Sequence, residues 1–92
     1  MFRKGARVIW TSQGSGTVRT KTGNIVAVIK KNEDPSDKVA LTLQSKPLSL
    51  RLGSLTPRDH VSYLVVSDQK RHDLHILYWP KVKDLAEIEE DK

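Results

Sequence analysis

Lys21-Thr22-Gly23-Asn24-Ile25-Val26-Ala27-Val28-Ile29 is the stretch that decides how this chain folds. A glycine-bearing turn runs directly into five apolar residues, with Ile25, Val26 and Val28 β-branched. Such residues fit a pleated strand, and a strand apolar on both faces needs cover on both. The segment Lys21–Lys30 is therefore expected in the middle of a tightly bent sheet. Just upstream, Arg7-Val8-Ile9-Trp10-Thr11 reads as its first partner, with Val8 and Trp10 on one face and Arg7, Ile9 and Thr11 on the other. Phe2 is apolar enough to pin the terminus, and Gly5 permits a sharp entry. Ser12-Gln13-Gly14-Ser15-Gly16 reads as a flexible loop, and Thr17–Thr20 as a short extended arm.

Downstream, Lys31–Asp37 is polar and contains Pro35, so it is a turn or exposed loop. Val39, Leu41 and Leu43 then alternate, and after Pro47 so do Leu48, Leu50 and Leu52. Two readings stand for 39–52: a hairpin, or an insertion lying over the sheet. Gly53–Asp59 is another turn. His60–Val66 is the second strong strand, Ser67–Asp73 a polar hairpin loop, and Leu74–Trp79 a strand whose pairing stops at Pro80. Lys81–Lys83 makes a last short strand. Asp84 is an N-cap for Leu85–Glu90, a short helix or a fraying tail.

Ninety-two residues make one domain, with the body at 1–83, an insertion at 33–57 and a tail at 84–92. There is no cysteine, so apolar burial and backbone pairing carry stability. No apolar run approaches the roughly 18 residues of a membrane span, and the N-terminus lacks an apolar signal core. A soluble, cytoplasmic protein with no membrane partner is the expectation. The formal charge is +5, unevenly spread: residues 1–31 hold seven basic side chains and no acid, whereas residues 84–92 carry a net −4. A basic body attracts polyanions.

The order of these pieces resembles the small SH3-like barrels, especially their Tudor and KOW branch. The KOW-like element is Gly23, Ile25 and Val28 preceded by Lys21, with Lys4-Gly5 and Val8 as lead-in. Arg7–Gln13, Arg58–Val65 and Tyr78-Trp79-Pro80 are also similar to short uncharacterised bacterial and phage proteins. The resemblance implies a mostly β fold: a five-stranded antiparallel barrel with a long inserted loop or hairpin and a short C-terminal helix or tail. It carries no agreed activity.

Two functions follow as expectations. The first is a non-enzymatic nucleic-acid (DNA or RNA) binding module using a basic N-terminal face: Arg3, Lys4, Arg7, Arg19, Lys21, Lys30 and Lys31. The loop Gly14–Gly16 would adapt to the backbone, and Trp79, facing out while Tyr78 faces in, would be the stacking platform. An acidic tail docked on that face would compete with polyanions. The second is a protein-interaction module, such as a phage or mobile-element accessory protein, contacting its partner through residues 39–55, where six aliphatic side chains gather.

Other chemistry has less to stand on. Trp10, Tyr63 and Trp79 are the candidates for an aromatic cage, but five aromatics must also fill the core. Gly14-Ser15-Gly16-Thr17 lacks the Lys-Ser/Thr pair and following helix of a phosphate loop. His60, His72 and His75 have no cysteine beside them, so no metal or cofactor is expected. Asp59, His60 and Ser62 are too close along one strand to form a triad, and no enzyme activity is expected.

Overall fold

Strand β2 (Thr17–Ile29) is the centre of the molecule, and the computed structural model describes residues 2–14 and 16–88 around it. Its first half pairs antiparallel with β1 (Arg7–Gly14), and its second half with β4 (Ser62–Arg71). The two ladders meet at Gly23 and Asn24, which pair with both neighbours. A Cβ at Gly23 would stand 2.3 Å from the Val66 carbonyl oxygen, so only glycine lets the strands approach this closely. Immediately after it, the register slips between Ile25 and Ala27, a bulge that bends the strand.

The hydrogen-bonding order is β3-β5-β4-β2-β1-β6, with β3 at Ser49–Arg51, β5 at Leu74–Tyr78 and β6 at Ala86–Glu87. All pairs are antiparallel except β3 with β5, which run parallel. The fold is mostly β, as expected, but the described residues form six strands rather than five. The order is linear, and among the described residues β3 and β6 do not pair with each other. The sheet is curved all the same, because the Trp10 ring of β1 meets the Tyr78 ring of β5 at 5.5 Å, with β2 and β4 between them in the order. The β1–β2 ladder reaches Gly14 and Thr17, so most of the expected loop Ser12–Gly16 and arm Thr17–Thr20 is paired strand. The expected polar loop Ser67–Asp73 also shrinks: Arg71 pairs with Leu74, and His72 and Asp73 turn the chain with φ of 53° and 63°. Two consecutive left-handed residues match the right-handed twist of a hairpin.

Residues 33–57 fold onto the sheet. The helix α1 (Ser36–Ser45) stands where the hairpin reading put a strand at Val39–Gln44, and the insertion lies over the sheet as the other reading had it, but as ordered helix. Asp34 Oδ1 accepts from the Ser36 amide at 2.9 Å, and Asp37 sits favourably in the first turn. Val39 is buried and Leu43 partly so, four residues apart on one helical face. Lys38 Nζ donates to the Val28 carbonyl and to Glu33 Oε1, tying the helix to β2. The C-terminal helix expected from Asp84 to Glu90 does not form over the described part. A 3-10 turn takes Val82–Asp84, Leu85 is buried, and Ala86–Glu87 pair with Val8 and Ile9. A six-residue helix is marginal by itself, whereas the edge of β1 offers strand partners. Residues 89–92 of the acidic tail lie outside the described residues.

The sheet thus has two cores. On the inner face, Val8, Trp10, Ile25, Tyr63, Val65 and Leu85 pack together, with Phe2 edge-on to Tyr63 at 5.2 Å. On the outer face, Ile29, Leu64, Val66, Leu77 and Trp79 pack against Val39 and Leu48 of the insertion. This explains why Ser62 to Ser67 of β4 are all buried.

An exposed brace spans β1, β2 and β4. Arg7 forms a two-pronged ion pair with Asp68, both contacts at 2.7 Å, and also donates to Asn24 Oδ1. Thr22 Oγ1 donates to Asp68 Oδ2 at 2.6 Å. Hydrogen bonds from Arg7, then Thr22, pull the Asp68 pKa from 3.8 down to about 2. A depressed carboxyl stabilises the fold above its unfolded pKa, and that stability disappears as pH falls through the folded value. The side chains are 29% and 44% exposed, so the brace is worth about 1 kcal/mol after screening. Asp68→Asn should therefore lower stability by about that amount at pH 7 in urea unfolding. The gap between variant and wild type should close between about pH 4 and pH 2.

Candidate functional site

A groove of about 750 Å³ lies at the seam between the β1–β2 arm and the β3–β5 side of the open sheet. Trp10 and Thr11 of β1, Val18 of β2, Arg51 of β3 and Tyr78 of β5 contribute to its lining. The rest comes from the connection after β5: Trp79, Pro80, Lys81, Lys83 and Asp84. Pro80 ends the β5 ladder, and the 3-10 turn then carries Lys81 and Lys83 along the rim.

Tyr78 is the partly exposed aromatic of this groove. Trp10 meets it edge-on at 5.5 Å, and Lys21 Nζ lies 4.5 Å from its ring centroid. Lys21 is there because it is the register partner of Trp10, and directly opposed residues share a face. Arg51 is the register partner of Tyr78 across the parallel β3–β5 pair, so it stands on the same face. Arg51, Lys81 and Lys83 thus line one groove, Lys21 adjoins it through the Tyr78 ring, and none of the four pairs with a carboxylate among the described residues. Among the described residues, Asp84 is the one acid in the lining. The result is a cationic, partly aromatic trough suited to an extended anion.

Of the eight residues expected from sequence, the groove gathers Lys21, with Arg19 two positions earlier on the same face of the β2 arm. Arg3 and Lys4 are exposed on the lead-in, which is held by the Gly5 amide donating to the Ile25 carbonyl at 2.7 Å. Lys30 and Lys31 are exposed at the far end of β2, up to roughly 30 Å of strand away from Lys21. Arg7 is committed to Asp68 and Asn24.

Trp79 is not a platform. It does face outward relative to Tyr78, as expected, but the insertion covers that outer face and leaves the indole 4% exposed. Its Nε1 donates to the buried Ser62 Oγ at 2.8 Å. The aromatic cage fails for the same reason: Trp10 and Tyr63 lie in the inner core, and Trp79 lies in the outer one. Arg51, Lys81 and Lys83 were missed. The Lys-Val-Lys run beside Tyr78-Trp79-Pro80 was a signal for two of them, but Arg51 needed the β3–β5 pairing.

Arg58 was also missed as a functional clamp of the fold. Its guanidinium lies 3.8 Å over the Trp79 ring and donates to the Trp79 and Pro80 carbonyls, both at 2.8 Å. Burial pulls its pKa down, yet an arginine stays charged at neutral pH. The clamp fixes the start of the groove's rim. Arg58→Lys keeps the charge but loses the fork and the stacked plane, and should cost about 2 kcal/mol in denaturant unfolding.

A smaller pocket of about 370 Å³ lies between α1 and the bulged part of β2, bordered by Lys4, Val26, Ala27, Val28, Lys38, Leu41 and Thr42. It is more apolar and carries fewer unpaired cations than the seam groove. Leu41 is 61% exposed here, while Leu50 is 48% exposed on β3 at the opposite edge of the sheet. Among the described residues no helix is long and apolar enough to cross a membrane. Compared with known proteins, the chain matches no family model, no curated protein and no solved structure.

Proposed function

We propose that this chain is a non-enzymatic nucleic-acid binding module built on an SH3-like barrel, and that it binds polyanions in the seam groove rather than over the N-terminal basic face at large. The barrel reading is supported by the connectivity. β1, β2, β4 and β5 form a bent antiparallel sheet, and β6 folds back onto β1. In this reading β3 and α1 are additions from the insertion. The observation that carries the function is the convergence of Lys21, Arg51, Lys81 and Lys83 on one groove without carboxylate partners among the described residues. Unpaired cations are those that release counterions on meeting phosphates, and they make affinity fall steeply with salt.

Titration of labelled single- and double-stranded DNA and RNA at two salt concentrations tests this. Affinity that falls steeply as salt rises supports the groove, and no binding even at low salt ends the proposal.

A protein contact through residues 39–55 ranks second. It is favoured by the exposure of Leu41 and Leu50. These two lie on different elements, α1 and β3, and the remaining aliphatic residues of that stretch fold back toward the outer core. Two isolated leucines make a smaller case than a contiguous patch.

A further inference from the structure

Resting on the groove reading, we infer that the ligand class is single-stranded nucleic acid, with one unpaired base stacking on Tyr78 in place of the Lys21 ammonium. Three observations converge. Tyr78 is partly exposed at the groove, and Trp10 packs edge-on against it at 5.5 Å. The Lys21 ammonium lies 4.5 Å from its ring centroid, filling the position over the ring by a cation–π contact. Arg51 stands beside Tyr78 on the same face of the sheet.

An ammonium over an aromatic ring has a better partner in a phosphate, where it gains a charge-assisted hydrogen bond. A strand entering the groove offers both groups at once. Its phosphate draws Lys21 away, and its base takes the vacated ring face. Lys81, Lys83 and Arg51 hold the flanking phosphates. Lys21 is thus a displaceable cover, and the groove favours ligands that carry both a phosphate and a flat unpaired ring. A duplex keeps its bases stacked inside and cannot make this exchange.

The test uses the full chain with four probes: oligothymidylate, an abasic strand of equal length, a duplex, and inorganic polyphosphate. Oligothymidylate should bind about tenfold tighter than the abasic strand, since a stacked base contributes on that scale. The duplex should bind more weakly than oligothymidylate. Tyr78→Leu should erase the preference for oligothymidylate over the abasic strand, and Tyr78→Phe should retain it. Lys21→Ala should raise the ratio of oligothymidylate to polyphosphate affinity, because it loses a phosphate contact but uncovers the ring. Equal binding of oligothymidylate and the abasic strand by the wild-type protein overturns the inference and leaves the groove reading intact. No binding of any probe at low salt overturns both. Because the oligothymidylate comparison uses the unmodified protein, it decides the matter even if Tyr78→Leu fails to fold.

Discussion

Gly23→Ala should destabilise the protein by more than about 3 kcal/mol, enough to unfold a domain of this size or bring it close to unfolding. The added Cβ would lie 2.3 Å from the Val66 carbonyl oxygen and 2.9 Å from its carbon, and both are backbone atoms. No rotamer change relieves such a contact. Either β4 shifts away from β2 or the crossing opens. Gly23 pairs with Val8 on one side and Ser67 on the other, so an opening there breaks the joint on which both cores depend. Gly53→Ala is the control. Its Cβ meets nothing within 4 Å, and only its φ of 67° opposes a side chain. It should cost about 1 kcal/mol. Chemical denaturation of the two variants checks the pair: comparable losses would mean that the strand crossing is not specially tight.

Trp79→Ala carries the second large effect, about 3–5 kcal/mol from lost packing alone. The ring joins Leu77, Leu64 and the insertion residues Val39 and Leu48 in the outer core. Its removal also strands the Ser62 hydroxyl, which is fully buried, and takes the stacking surface from Arg58. An unsatisfied buried hydroxyl adds to the loss. Trp79→Phe keeps a ring but not the N–H donor and should cost about 2 kcal/mol. Because Trp79 serves the core, Trp79→Phe should bind polyanions within about twofold of wild type once folded. A variant that kept full stability but lost binding would return Trp79 to the role of platform.

Much of the fold was legible in β-branched and aromatic runs. Ile25–Ile29 is apolar on both faces, and that pattern placed β2 in the middle of the sheet, while the apolar run around Tyr63–Val66 marked β4 as a strand. The helix was not legible. Val39, Leu41 and Leu43 alternate like a strand, yet Val39 and Leu43 are also four apart, the spacing of one helical face. The surrounding Lys, Ala, Leu and Gln favour a helix, and the Asp34-Pro35-Ser36 lead is a start signal. The β6 strand was hidden because its partner, the edge of β1, is a tertiary feature.

The site was half legible for the same kind of reason. Lys21 stood out as a cation at the mouth of the best strand, and the register puts it at Tyr78. Nothing local in the sequence shows that Arg7 meets Asp68 across 61 positions, so it read as available when it is bound. Nor does composition reveal that an insertion covers the outer face, which turned the outward-facing Trp79 into core and left the inward-facing Tyr78 as the accessible ring. Charge counting favoured the N-terminal third because it holds seven cations without an acid. Topology instead assembled a smaller set drawn from β2, β3 and the segment after β5.

The most direct test sets these two surfaces against each other by measuring the affinity of one labelled single strand for two variants across a salt series. One variant replaces Arg51, Lys81 and Lys83 by Gln; the other replaces Arg3, Lys4, Lys30 and Lys31 by Gln. The groove account predicts that the first loses at least about tenfold in affinity at low salt and flattens its salt dependence by about two in the log–log slope. It predicts that the second, despite losing one more charge, changes by less than about threefold. A groove variant that binds like wild type, with the loss falling instead on the variant at Arg3, Lys4, Lys30 and Lys31, would contradict it.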